Sequence, residues 1–164
     1  MLELVSPTPE LLSAWAVCHS EWGPGLHEDG FGIAADDDVD SRTGQLRWLA
    51  RLGADPGVAW WILEEGVVLG GIALRAADDP RVAAMGHVGY GIRPSARGRG
   101  VASWALGEVL RRAADAGIDP VLAVCRDDNA GSRATLERNG GVLSRTEQRG
   151  TTLLRHYELR ARRR

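Results

Sequence analysis

The sequence predicts a mixed α/β fold, with a mostly antiparallel central sheet flanked by helices in one domain over residues 1–164. Three observations carry that expectation. Short apolar runs with strand-like content alternate with stretches of helical period, in the order β-α-α-β-β-β-α-β-α-β-β. Two of the junctions, Glu65-Gly66 and Arg149-Gly150, are turns between adjacent strands and so demand antiparallel neighbours. The chain is also long enough to bury one core without disulfides, and its 44% hydrophobic and 26% charged content is that of a globular domain.

Leu2 to Val5 is a first strand, ended by Ser6-Pro7. Thr8 is placed to cap a helix with Pro9 and Glu10 in its first turn, and Leu11, Leu12, Trp15 and Ala16, with His19 as a further candidate, lie on its apolar stripe. Residues 22 to 39 are rich in Gly and Asp, and so long a polar connection inside a compact domain is usually functional or mobile. A second helix is expected from about Asp40 to Leu52, with Leu46, Leu49 and Leu52 toward the core and Gly53 as its stop. Val58 to Glu64 and Val67 to Arg75 read as a hairpin, followed by a polar loop and a strand over 85–93. A helix begins at Val101 and ends at Gly117, Val121 to Cys125 is a buried strand, and Gly131 to Arg138 is a last helix. Val142 to Gln148 and Thr151 to Leu159 close the chain as a hairpin.

Composition narrows the function. A net charge of −2 gives no support for nucleic-acid binding, although Arg160, Arg162, Arg163 and Arg164 crowd the end. No apolar run approaches the ~20 residues that cross a bilayer, and no export signal is visible, so the expectation is a cytoplasmic protein without a membrane partner. Cys18 and Cys125 are too few for a disulfide framework or a zinc site, and no metal is expected. Every Lys+Arg position is Arg, which reads as a bias of genome composition.

The most informative stretch is His87 to Ser103. Val88, Tyr90 and Ile92 alternate with small residues as in a strand, and Pro94 stops it. Arg97-Gly98-Arg99-Gly100 then leads into a helix. Glycines let a backbone approach a ligand closely, and the first N–H groups of a helix have no internal acceptor, so this loop is a site for a diphosphate. The alternative is an ordinary Gly- and Arg-rich surface loop.

The element order and this loop resemble the Gcn5-related N-acetyltransferase (GNAT) superfamily. The family pattern Gln/Arg-x-x-Gly-x-Gly/Ala is similar to Arg97-Gly98-Arg99-Gly100-Val101-Ala102, and Asn129 to Arg133 leading to Asn139-Gly140-Gly141 resembles its second block. The resemblance implies the acyl-CoA N-acyltransferase fold with splayed fourth and fifth strands, and acetyl-CoA as co-substrate. It implies that the pyrophosphate rests on Arg97, Gly98, Arg99, Gly100, Val101, Ala102 and Ser103. Pantetheine pairs with the main chain of Tyr90, Gly91 and Ile92, and Asn129, Ser132 and Arg133 hold the far side of the cofactor. It further implies direct attack by a primary amine on the thioester in a ternary complex, and dimerisation is common in such proteins. Many members carry a tyrosine acid where this chain has Leu136, so that role is vacant or has moved.

His87 is the first substitute, because it shares a strand face with Gly89 and Gly91, whose missing side chains leave room for a thin ligand, and imidazole titrates near neutrality. A histidine bonded within the fold is the equal alternative. Tyr157 is a candidate acid, set against simple packing, and Cys125 and Glu137 read as a core residue and a solvated helix position. Trp22, Glu28 and Asp29 are candidates for the acceptor side, where carboxylates attract a cationic amine, set against a mobile solvated loop as the alternative; Phe31 and Trp60 are offered for the same cleft. A Rossmann dinucleotide site fails on spacing, since Ser103 stands where the fingerprint needs Gly. A non-catalytic acyl-CoA-binding module of the same fold stays open on account of Leu136.

Overall fold

The structure, a computed structural model, describes residues 1–162. Arg163 and Arg164, part of the basic run at the end of the sequence, lie outside the described residues. The chain forms two compact units, one made of Met1–Ala73 with Tyr90–Val101 and the other of Leu74–Gly89 with the chain from Ala102 onward. The expected mixed, mostly antiparallel sheet with flanking helices is present. Its strand order is β1 (Leu2–Val5), β2 (Val58–Glu64), β3 (Val67–Leu74), β4 (Val88–Ile92) in the first unit and β4, β5 (Val121–Arg126), β7 (Thr152–Leu159), β6 (Val142–Arg149) in the second, β4 giving residues to both.

In the first unit β1 (Leu2–Val5) runs antiparallel to β2 (Val58–Glu64), with Val5 opposite Trp61. The turn to β3 (Val67–Leu74) uses positive φ at Glu65 (52°) and Gly66 (80°), as a two-residue hairpin loop requires. The Arg93 N–H donates to the Leu69 carbonyl of β3 at 2.8 Å, just past the end of β4 (Val88–Ile92), the neighbour of β3 in the sheet. Helix α1 (Leu12–Ser20) buries Leu12, Trp15 and Cys18 at helical spacing. It starts after a 3₁₀ turn over Pro9–Leu11, and the Thr8 side chain, expected as a cap, makes no capping bond.

Helix α2 (Arg42–Ala54) is capped by Ser41, whose side chain accepts from the Gly44 N–H at 3.0 Å. It runs through Gly53 rather than stopping there, and Leu46, expected in the core, is 42% exposed. Trp48 takes the core position, because it stacks into an aromatic cluster with Trp15 (ring centroids 4.8 Å apart) and Trp61 (5.9 Å). Phe31 packs edge-on to Trp15 at 6.1 Å and is fully buried, so it belongs to this core. Offset and edge-to-face aromatic geometry, with the apolar area buried, makes this cluster stabilising.

In the second unit a helical turn, α3 (Val82–Met85), precedes β4, where the sequence had suggested strand from residue 85. Gly86 ends it at φ 76°. β4 pairs with β5 (Val121–Arg126) in parallel at Val88↔Ala123, and β5 pairs with β7 (Thr152–Leu159) antiparallel. β6 (Val142–Arg149) completes a hairpin with β7, broken by an irregularity between Leu143 and Arg145. Helix α4 (Val101–Asp115) buries Ala105, Leu106, Val109, Leu110 and Ala113 on one stripe, and α5 (Ala130–Arg138) is capped by Asn129. No described helix is long and apolar enough to cross a membrane.

Candidate active site

The loop after β4 is pinned before it opens. Pro94–Ala96 forms a 3₁₀ turn, and Glu21 grips its start: the carboxylate accepts from the Arg93 guanidinium, from the Ser95 N–H at 3.0 Å and from the Ser95 hydroxyl at 2.9 Å. Those bonds, the Arg93 guanidinium first, pull the Glu21 pKa down to about 2. Gly98 and Gly100 then both adopt left-handed φ (76° and 79°), and a Cβ on either would meet nothing within 4 Å. Their glycine character answers to backbone conformation, and the space beside the loop stays open. α4 begins at Val101, so the N–H groups of its first turn lack acceptors within the helix. Asn139 steadies that turn by donating from Nδ2 to the Ser103 and Thr135 carbonyls, each at 3.0 Å. Glu21 stands in no sequence motif, and Asn139, which closes the second block, makes bonds that its motif does not foretell, because each works through partners remote in the chain. The guanidinium of Arg99 pairs with Glu64 at 2.5 Å, and Arg97 donates from Nε to the Ile92 carbonyl at 2.9 Å.

The two glycines of β4 differ. A Cβ on Gly91 would lie 2.5 Å from the Cα of Asp29, so its bare face is filled by the chain itself rather than left for a ligand. Gly30, at φ 75°, presses on β3 and β4 in the same place: its Cβ would fall 2.1 Å from the Gly71 carbonyl and 2.6 Å from the Gly91 nitrogen. Gly89 is different, since the nearest atom to a Cβ there is a guanidinium nitrogen of Arg75 at 3.8 Å.

The acidic connection thus crosses the sheet at Asp29 to Gly30, and outside it lies a cavity of about 720 Å³. Trp15, His19, His27, Asp29, Asp37 and Asp40 contribute to its wall. Asp29 is 3% exposed; its Oδ1 accepts from the Phe31 N–H at 3.0 Å, and its Oδ2 lies 3.5 Å from Nδ1 of His19. Asp37 is held by Arg51 and by the Ala34 N–H. Of the acceptor-side candidates from the sequence, Asp29 lines this cavity. Trp22 packs edge-on to Phe31 at 5.9 Å, and Glu28 is exposed outside the lining.

In the second unit His87 is 7% exposed, and its Nδ1 accepts the Leu122 N–H at 2.9 Å. A neutral ring bonded so carries its proton on Nε2 and has no lone pair free to receive another. Burial, helped by the charge of Arg75, lowers its pKa and keeps it neutral. Tyr157 is buried and donates to Glu137 Oε1 at 3.0 Å; burial first, then that carboxylate, raises its pKa, so it stays protonated. Glu137, exposed as expected, thus also receives a buried hydroxyl. Leu136 is buried, and burial raises the Cys125 pKa as befits a packed thiol. Asn129 Oδ1 accepts from the Ser132 N–H at 3.0 Å, and Arg133 has a buried Nε without a hydrogen-bond partner at the start of α5. Among the described residues no group of three or more His, Cys, Asp or Glu is arranged to hold a metal ion.

A mixed sheet whose fourth strand leads through a Gly/Arg loop into a helix defines the acyl-CoA N-acyltransferase class of fold. The chain belongs to the acetyltransferase (GNAT) domain family, whose model matches residues 33–142. No curated protein matches the chain significantly. Among solved structures it is similar to the microcin C7 self-immunity acetyltransferase MccE, in complex with acetyl-CoA and AMP, at a TM-score of 0.74 and 15% identity over 97% of this chain and 92% of that one. A Salmonella typhimurium acetyltransferase that modifies the N-terminal serine of ribosomal protein L7/L12 aligns at 0.73 and 16% identity, over 97% and 94%. yncA from Salmonella typhimurium, with its cofactor acetyl-CoA, aligns at 0.68 and 14%, over 99% and 95%. At such identities the likeness is one of fold.

Proposed function

We propose that this protein is an acetyl-CoA-dependent N-acetyltransferase that passes an acetyl group directly to a primary amine in a ternary complex. One observation carries the reading: Gly98 and Gly100, both left-handed with open space beside them, set the backbone at the mouth of α4. Successive N–H groups there, with the positive end of the helix, suit a pyrophosphate. Family membership and the acetyl-CoA named for MccE and yncA support the choice of ligand.

On this reading residues 97–103 receive the diphosphate, and the main chain of Tyr90, Gly91 and Ile92 receives pantetheine. A β4 amide steadies the oxyanion that forms as the amine attacks. Asn129, Ser132 and Arg133 are the candidates of the second unit for cofactor contact, and Tyr157, kept protonated, is a candidate acid for the leaving thiolate. Carboxylates at the cavity wall, Asp29 among them, favour a cationic acceptor.

Calorimetry with acetyl-CoA and thiol release with a panel of primary amines test the proposal. Binding and amine-dependent release are expected. Gly100→Ala should weaken binding about tenfold, as an L-residue at that φ costs roughly 1–2 kcal/mol. Absence of any heat of binding to folded protein would overturn the assignment. Buried Leu136, standing where many relatives hold an acid, favours a second reading, a binding module without turnover. Heat of binding without thiol release would select it.

A further inference from the structure

We propose that His19 is the general base of the reaction and that Asp29 is its positioning residue; the assignment deepens the transferase reading and rests on it. His19 lies in the last turn of α1, with its ring stacked on Trp15 at 4.8 Å and 14° between planes, so its orientation is fixed by packing. Nδ1 is shielded from solvent and has no hydrogen-bond partner, as is Oδ2 of Asp29, and these two atoms face each other at 3.5 Å. A small rotation closes that gap to a charge-assisted hydrogen bond, and such bonds are commonly long before substrate arrives. With Asp29 accepting from Nδ1–H, the lone pair sits on Nε2. The His19 side chain keeps 22% exposure and lines the cavity, so Nε2 is the nitrogen left to it.

The dyad is also where the chemistry needs it. The backbone of Asp29 rests directly on Gly91 of β4, and a methyl group there would drive it away. An ammonium entering the cavity meets Asp29 and Asp40 as attracting charges, Asp37 being held by Arg51, and His27 on the same wall has its Nε2 on the Gly23 carbonyl at 3.0 Å. Nε2 of His19 takes one proton from the ammonium, and the Asp29 carboxylate stabilises the imidazolium formed. The freed amine attacks the thioester carbon. The C–S bond breaks as the intermediate collapses, the second N–H proton goes to the leaving sulfur, and His19 returns its proton to solvent. Acetylated amine, free thiol and one solvent proton are the products.

The test joins kinetics to nitrogen NMR. Wild-type protein, His19→Gln and Asp29→Asn are assayed by thiol release with agmatine, phenethylamine and a Ser-Ala dipeptide between pH 5.5 and 9, with folding checked by circular dichroism. His19→Gln should lower kcat/KM about 10²–10³-fold and erase the acid limb of its pH profile, while acetyl-CoA binds within about twofold of wild type. Asp29→Asn keeps an oxygen for the Phe31 N–H but loses the carboxylate; its rate should fall and its acid limb move to lower pH. In the unliganded wild type, imidazole ¹⁵N shifts should show His19 protonated at Nδ1 and His87 at Nε2. Folded His19→Gln that keeps both rate and limb, or a His19 ring protonated at Nε2, would overturn the base assignment and leave the transferase standing. Wild-type protein that binds acetyl-CoA yet releases no thiol with any amine would overturn the transferase reading and take the base with it.

Discussion

His19 and His87 are histidines with Nδ1 turned into the protein, and they are wired in opposite senses. His87 accepts from a backbone amide of Leu122, so its proton sits on Nε2 and the ring helps to satisfy the sheet. His19 faces the carboxylate of Asp29, so its proton belongs on Nδ1 and a basic nitrogen is left toward a cavity. The partner of one nitrogen decides what the other can do. The glycines of β4 show the same contrast: Gly91 is bare because Asp29 lies on it, whereas a Cβ on Gly89 would meet only the Arg75 guanidinium, at an ordinary contact distance of 3.8 Å.

The largest expected effect breaks the histidine pair apart. His87→Phe keeps a ring but leaves the Leu122 N–H unpaired, which should cost about 1–3 kcal/mol in urea unfolding. Its kcat per folded molecule should stay within about threefold of wild type, the reverse of the pattern expected for His19→Gln. A large fall in kcat without loss of stability would return the chemistry to His87.

The glycine pair comes next. Gly91→Ala must displace Asp29 and should destabilise by about 1–3 kcal/mol and disturb the acceptor side. Gly89→Ala should stay within about 0.5 kcal/mol of wild type. Equal effects on urea midpoints would mean that the loop does not rest on β4 as described.

The smallest effects are in pH dependence. Glu21 has a folded pKa below its usual value of 4.5, so its stabilisation is present above pH 4.5 and is lost as pH falls toward about 2. Glu21→Gln should therefore flatten the fall in urea midpoint between about pH 4.5 and 2.5. His87, also depressed, makes the fold lose stability as pH drops below its usual 6.5 toward its lower folded value, and His87→Phe should remove that shallow slope. Unchanged slopes in both variants would separate these contacts from acid sensitivity.

Local pattern fixed most of the elements. The order of strands and helices apart from α3, the Gly/Arg loop and its helix, and the hairpin at Glu65-Gly66 all follow from periodicity and turn chemistry that neighbouring residues carry. Where the pattern misled, packing had intervened. Leu46 has the spacing of a core residue, yet Trp48 wins the interior of α2 because an indole buries more area and finds Trp15 and Trp61. Phe31 and Trp22 resembled cleft residues by their place in a polar connection, and they pack against the aromatic core instead.

By itself, then, the chain determined its family and the Gly/Arg loop that leads into α4, because both depend on contiguous residues whose backbone preferences are local. Tertiary structure alone decided which histidine has a carboxylate and which an amide, what lies over Gly91, and that Glu21 and Asn139 brace the two ends of the loop. Those are contacts between residues far apart in sequence, and no short-range pattern encodes the partner of a side chain.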